Sequence, residues 1–266
     1  MLTTIVVPLD GSKLSESALP VAAELARTFG ATVNLMSSGW GSNVADLDGY
    51  LQRRGADLDV PGWSTDVVAD SFPATAIAGA VTGIDAAVVM ATHGRSGLGK
   101  ALLGSVAEDL LKATDRPVVL LGKATESKAP IADGILIVST DGSDTSVTIV
   151  DDAIAWATAL RLSVRVVAVT RSDGTPVGGT VGEELPDRLE TVADRVRAAG
   201  LQAQVERVEA DDAARALVDL ARNLPATMIA MATHGRTGMA RTALGSTAMK
   251  VVRDAPCPVL VHRPPS

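Results

Sequence analysis

The chain contains itself twice. Ile5-Val-Val-Pro-Leu-Asp10-Gly-Ser12 returns as Ile135-Leu-Ile-Val-Ser-Thr-Asp141-Gly-Ser143, and Thr92-His-Gly-Arg-Ser-Gly97 returns as Thr233-His-Gly-Arg-Thr-Gly238. Gly104-Ser105 answers Gly245-Ser246, and Arg116-Pro-Val-Val-Leu120 answers Cys257-Pro-Val-Leu-Val261. Asp10 and Asp141 lie 131 positions apart while His93 and His234 lie 141 apart, so the second copy holds about ten more residues between these landmarks. The Gly/Thr/Pro-rich stretch 171–182 carries the loop signals of such an addition. A repeat this long is a duplicated domain, not a solenoid unit. The expected division is a first domain over 1–123, a linker over 124–133 centred on Pro130, and a second domain over 134–266.

Each copy alternates strands and helices. In the first, near-continuous apolar runs predict strands at 4–9, 31–37, 63–69, 86–91 and 117–121. Helical spacing predicts helices at 14–29 (stopped by Gly30), 46–58, 73–81 (Pro near its start) and 105–113. The second copy follows with strands at 134–140, 163–170, 201–208, 227–232 and 258–262, and helices at 146–160, 183–199, 211–223 and 246–254. Strands that are apolar throughout and separated by helices belong to a parallel sheet covered on both faces. The expected fold class is therefore α/β, two tandem open parallel sheets with helices on both faces. Aromatic residues make up only 2% of the chain, so Ala, Val, Leu and Ile must fill the core.

Charge and cysteine content narrow the function classes. A formal net charge of −7 without any Lys/Arg run argues against nucleic acid, whose binding needs a basic patch. A single cysteine, Cys257, excludes an intramolecular disulfide and supplies no metal cluster, as suits a reducing compartment. Residues 1–12 have no basic leader and reach Asp10 early, and no apolar run approaches the ~18 residues that span a bilayer. A cytoplasmic protein without membrane partners is the expectation.

Chemistry concentrates in the loop after the fourth strand. In Thr92-His-Gly-Arg-Ser-Gly-Leu-Gly99 the glycines let backbone amides approach a ligand closely. Gly104-Ser105 then opens a helix, whose unpaired amides and positive dipole end favour phosphate. Arg95, Lys100, Arg236 and Arg241 add positive charge nearby on an otherwise acidic protein. The competing reading is a glycine turn followed by a serine helix cap. Recurrence at matching positions of both copies favours the functional one. The loop is neither a Walker A sequence nor a Gly-x-Gly-x-x-Gly dinucleotide fingerprint.

Asp10-Gly11-Ser12 and Asp141-Gly142-Ser143 close the first strand of each copy. They read equally as a turn and cap or as ligand contacts where the strand order reverses. A carboxylate repels phosphate, so a ligand role places Asp10 and Asp141 at the base or ribose end. His93 and His234 have no companion residues at metal-binding spacing, and no Gly-x-Ser-x-Gly elbow is present. Both read as nucleotide-contacting or loop-ordering residues, with His262 incidental. Cys257 and the tryptophans Trp40, Trp63 and Trp156 read as packing residues.

Together, Val7-Pro-Leu-Asp-Gly-Ser12, Ala91-Thr-His-Gly-Arg-Ser-Gly97 through Gly104-Ser-Val106, and Asp115-Arg-Pro-Val-Val-Leu120, with their second-copy counterparts, resemble the universal stress protein family in its tandem two-domain form. The resemblance implies five-stranded sheets of order 3-2-1-4-5 and ATP, with or without Mg²⁺, as cofactor. The family's nucleotide-binding branch carries Gly-x2-Gly-x9-Gly-Ser/Thr. Here Gly94-x9-Gly104-Ser105 and Gly235-x9-Gly245-Ser246 are intact, whereas the first glycine is Ala91 or Ala232. Carried over residue by residue, the resemblance puts adenine and ribose against Pro8, Asp10, Ser38, Met90 and Ala91. The phosphates fall against His93, Gly94, Gly104, Ser105 and Val106. The second-copy positions are Ser139, Asp141, Val169, Met231, Ala232, His234, Gly235, Gly245, Ser246 and Thr247. Ser139 replaces proline and Thr247 the usual valine, which ranks the first copy ahead. The resemblance also implies pairing through the last strand, as a homodimer or an intramolecular pseudo-dimer, and a protein partner that the sequence does not name.

The implied function is a nucleotide-binding stress-response regulator. A slow ATP hydrolase or phosphotransferase is the alternative enzyme reading, for which no general base is assignable. A module that binds partners without nucleotide is the third reading, motivated by Ala91 and Ala232.

Overall fold

The computed structural model describes residues 2–39, 44–92, 103–127, 129–177, 183–224, 226–233 and 244–263. The chain separates into two compact units, Met1–Gly122 and Lys123–Ser266.

In the first unit, β1 (Thr4–Pro8), β2 (Thr32–Gly39), β3 (Trp63–Ala69), β4 (Ala86–Ala91) and β5 (Val118–Leu121) form a parallel array of order β3-β2-β1-β4-β5. Its helices are α1 (Lys13–Glu16), α2 (Ala18–Phe29), α3 (Val44–Ala56), α4 (Pro73–Val81) and α5 (Ser105–Ala113). Every residue of β4 is buried, the mark of a central strand covered on both faces, whereas no residue of the outer strand β3 is more than half-buried.

The second unit repeats the arrangement with β6 (Ile135–Ser139), β7 (Ser163–Thr170), β8 (Ala203–Glu209), β9 (Ala226–Ala232) and β10 (Val259–His262). Here the order is β8-β7-β6-β9-β10, again all parallel. The helices are α6 (Val150–Leu160), α7 (Leu185–Ala198), α8 (Ala213–Asn223) and α9 (Ser246–Asp254). The residues 123–133 belong to this unit: Glu126 donates its amide to the Pro256 carbonyl at 2.8 Å, and Ile131 is fully buried.

The first helix of each copy differs from expectation. The stretch predicted as one helix over 14–29 breaks at Ser17, whose hydroxyl and amide both turn back to the Leu14 carbonyl at 2.7 and 3.2 Å. In the second copy a 3-10 turn, Ser146–Ile149, precedes α6, and the Thr148 hydroxyl donates to the Thr145 carbonyl at 2.7 Å. Short hydroxyl side chains bonding three residues back tighten the first turn and shift the start of the regular helix. Gly30 ends α2 in the left-handed region at φ 67°, as a glycine stop requires.

The core is aliphatic. Ile5, Val6, Val7, Leu25, Val33, Leu35, Val88, Val89, Leu110 and Leu120 are fully buried in the first unit. Trp156 is buried within the second unit, and Trp63 is partly exposed on β3. No helix among the described residues is long and apolar enough to cross a membrane.

Candidate functional site

In both units the polarity of the strand order reverses beside the first strand, between β1 and β4 and between β6 and β9. Crevices at such switch points, beyond the carboxyl ends of the strands, are where open α/β sheets receive ligands. The predicted residues converge there. In the first unit Pro8 ends β1 opposite Met36, Ser38 lies near the end of β2, and Met90 and Ala91 end β4 beside Leu120 and Leu121. In the second, Ser139 ends β6, in register with Val167 on one side and Met231 on the other.

The Asp-Gly-Ser turns divide their labour identically in the two copies. One carboxylate oxygen of Asp10 accepts the Ser12 amide at 3.0 Å, and Asp141 accepts that of Ser143 at 3.0 Å. Gly11 and Gly142 take φ of 82° and 77°, which a side chain would strain. Ser12 and Ser143 then cap the next turn, accepting the amides of Ser15 and Ser146 at 3.1 Å. The cap therefore rests on the serines, and each aspartate, tied by one oxygen, orients a carboxylate at the strand end.

Behind Asp141 lies a buried hydroxyl chain. Ser146 donates to the Ser143 carbonyl at 2.9 Å, so the 2.7 Å contact between Thr140 and Ser146 must carry the Thr140 proton. Thr140 in turn accepts the Gly142 amide at 3.0 Å. The first copy has Leu9 in place of Thr140, and there Ser15 receives the Asp10 amide at 3.3 Å.

The turns are stapled to the next helix by different chemistry. Arg188 of α7 donates to the Gly142 carbonyl at 2.9 Å and to Asp144 at 2.8 Å. In the first copy Tyr50 of α3 donates to Glu16 at 2.9 Å, with Arg54 3.6 Å from the same carboxylate and 5.9 Å from the ring centre. Burial, reinforced by the Glu16 acceptor, raises the Tyr50 phenol well above its ordinary pKa, so it remains a donor throughout the physiological range.

The end of the site at the helix starts is built from backbone. Gly104 and Gly245 are the N-caps of α5 and α9, and neither helix receives a side-chain cap. This corrects the serine-cap alternative: Ser105 and Ser246 are the first helical residues, both exposed, with hydroxyls not spent on capping. Gly104 donates to the Thr92 carbonyl at 2.8 Å and Gly245 to that of Thr233 at 2.7 Å, fixing each helix start to the strand end. The glycines stand at φ −57° and −61°, conformations open to any residue. A methyl group on Gly245 would meet only the Thr233 carbonyl oxygen, at 3.5 Å. Neither the backbone conformation nor packing among the described residues demands a glycine at 245.

In the second unit the parts enclose a cleft of about 160 Å³. Of the ten positions named for this copy, Ser139, Asp141, Val169, Met231, Ala232, Gly245, Ser246 and Thr247 line it. His234 and Gly235, and in the first copy His93 and Gly94, lie outside the described residues, as do Trp40, Arg95, Lys100, Arg236 and Arg241. In the first copy Gly104, Ser105 and Val106 open α5, beside the Ala91 end of β4.

Sequence reasoning missed Thr140, Ser146, Val177, Ala213, Leu217, Thr233 and Ala248, which also line the cleft. Ser146 was recoverable, since Ser12-x-x-Ser15 and Ser143-x-x-Ser146 repeat. Ala213 and Leu217 belong to α8, whose N-cap Asp212 accepts the amides of Ala214 and Arg215 at 3.0 and 3.2 Å. The Lys250 ammonium, 3.0 Å away on α9, and those amides hold the Asp212 carboxyl below its usual range. That contact also fixes α8 against α9.

The cleft thus combines the α9 start, the Asp141 carboxylate with the Thr140 and Ser146 hydroxyls, and the apolar side chains of Val169, Leu217 and Met231. Among the described residues no three His, Cys, Asp or Glu side chains are grouped to hold a metal ion. His262, read as incidental, places Nδ1 2.6 Å from Asp152, and its carbonyl accepts the Thr233 amide at 3.0 Å.

Comparison with known proteins gives a consistent answer. The profile of the universal stress protein family matches residues 43–122 and 134–263. A universal stress protein of Methanocaldococcus jannaschii is 33% identical over 140 residues, 49% of this chain and 82% of that protein. One from Mycolicibacterium smegmatis is 32% identical over 191 residues, 66% of this chain and 61% of that protein, so the match spans less than two thirds of that relative. Among solved structures, a universal stress protein from Archaeoglobus fulgidus superposes with a TM-score of 0.68 at 21% identity, covering 98% of each chain, a likeness of fold.

Proposed function

The chain belongs to the universal stress protein family, and from that premise we propose that it is an adenine-nucleotide-binding regulator of the stress response, with ATP as the ligand of its switch-point clefts. One observation carries the reading. In the second unit Ser139, Asp141, Val169, Met231, Ala232, Gly245, Ser246 and Thr247 line one cleft, which reaches the start of the nine-residue helix α9, where the N-cap Gly245 brings no side chain.

The chemistry of that cleft suits a nucleotide from end to end. Free amides at the α9 start, aided by Ser246 and the dipole, take phosphate oxygens. Asp141, held by the Ser143 amide, offers a carboxylate oxygen to ribose hydroxyls and is kept from the phosphates, which it would repel. Val169, Leu217 and Met231 supply the apolar surface that a base needs. The first copy repeats the polar framework through Asp10, Gly104 and Ser105. Mg²⁺, when present, would arrive with the phosphates, since a cation of this kind needs only one or two protein carboxylates.

Two measurements test the proposal: mass spectrometry of protein purified without added nucleotide, and calorimetric titration with ATP-Mg. Retained adenine nucleotide or saturable binding supports it. No retained nucleotide together with no binding at millimolar ATP would sink it and leave the interaction-module reading.

A further inference from the structure

The ten residues by which the second copy exceeds the first fall between β7 and α7. Four residues separate β2 (ending at Gly39) from α3 (starting at Val44), whereas fourteen separate β7 (ending at Thr170) from α7 (starting at Leu185). The described part of the addition is a tight reversal. Arg171 donates its amide to the Thr175 carbonyl at 2.8 Å, and Gly174 turns the chain at φ 81°. Asp173 accepts both the amide and the hydroxyl of Thr175, at 2.9 and 2.6 Å. The returning strand then lies antiparallel on the end of β7: Pro176 bridges Thr170, and Val177 donates its amide to the Val169 carbonyl at 2.8 Å.

This reversal delivers a side chain to the cleft. Val177 lines it together with Val169, Leu217 and Met231, held at the end of β7 by its amide on the Val169 carbonyl. We infer that Val177 is a specificity-determining residue of the second cleft, an apolar wall carried on the longer β7–α7 connection, against which the nucleobase of a bound nucleotide packs. The inference rests on the nucleotide reading of that cleft and adds which part of the ligand the addition recognises. Four residues are too few to build a seven-residue reversal, so this reversal belongs to the second copy. The copies thereby share a phosphate end and differ at the base end.

The test uses the full chain carrying Gly104→Glu, which blocks the first cleft, and titrates it with ATP and separately with inorganic tripolyphosphate. Val177→Ala removes two methyl groups from a half-buried wall and is expected to weaken ATP on the order of three- to tenfold. Tripolyphosphate, which lacks a base, is expected to bind unchanged. In the reciprocal background, Gly245→Glu, the same substitution is expected to leave ATP binding to the first cleft unaltered. Val177→Thr, of nearly the same shape, retains the fold and gives an intermediate loss. Equal ATP affinity with valine and alanine overturns the inference alone, as does a parallel loss for tripolyphosphate. Absence of ATP binding before any change at 177 overturns the nucleotide reading, and this inference with it.

Discussion

The amide of Gly245 donates to the carbonyl of Thr233 at 2.7 Å, and that one hydrogen bond brackets the eleven residues 234–244. Gly104 and Thr92 do the same in the first copy at 2.8 Å. The bond sets the helix start directly over the strand end, where a ligand's phosphates would meet it. It needs only the backbone of residue 245, and among the described residues nothing packed there requires a glycine.

Gly245→Ala separates those roles. The backbone angles suit alanine and the added carbon meets the Thr233 oxygen at 3.5 Å, so the melting temperature is expected to move by no more than about 2 °C. ATP affinity at the second cleft is expected to fall about tenfold or more, because the methyl group occupies space the phosphates would take. Thermal melts and calorimetry on one preparation decide it; unchanged affinity would show that the phosphates lie elsewhere.

Asp141 is expected to tolerate asparagine better than alanine. An amide oxygen can still accept the Ser143 amide at 3.0 Å, whereas alanine leaves that donor unpaired beside a buried serine. The alanine variant should lose about 1 kcal/mol of stability and the asparagine variant less than half of that. Denaturant titration measures the difference, and equal losses would mean that the turn does not depend on this acceptor.

Cys257 is 5% exposed, and burial pushes its thiol up to about 12. Thiolate is the reactive form, so the native protein is expected to resist an aromatic disulfide reagent at pH 8 and to react fully once unfolded. Rapid labelling of the native state would contradict the burial.

The reversal at 171–177 has a pH limit set by Asp173. The Thr175 hydroxyl and amide lower the Asp173 carboxyl below its ordinary 3.8. For a carboxylate lowered on folding, the contribution is complete above the unfolded value and is lost as pH falls through the folded one. The Val177 amide resonance should therefore stay constant from neutrality to about pH 5 and move only under stronger acid. A transition near pH 6 would point to a different titrating group.

The fold was legible because each of its instructions is local. Near-continuous apolar runs marked the inner strands, and the repeat gave each assignment a second reading. The break at Ser17 was not visible, since it depends on a hydroxyl bonding three residues back within an otherwise good helical pattern. The site was legible where it is made of glycine, serine and aspartate at fixed spacing, because backbone approach and turn geometry restrict those types. Leu217 carries no such mark: helical periodicity explains its burial whether or not a cleft lies in front of it. Val177 was hidden for the opposite reason. It sits in an irregular stretch whose composition announces a loop but not the side of the strand to which that loop folds back.

The Gly–Thr hydrogen bonds have one more consequence. Residues 93–103 and 234–244 are equally long, and each is bracketed by the same donor and acceptor at 2.8 and 2.7 Å. The two segments therefore match in length and in the backbone atoms that flank them. Exchanging them within one chain would transplant His93, Arg95 and Lys100 onto the second scaffold, and His234, Arg236 and Arg241 onto the first, while each sheet and each helix start keeps its own anchor.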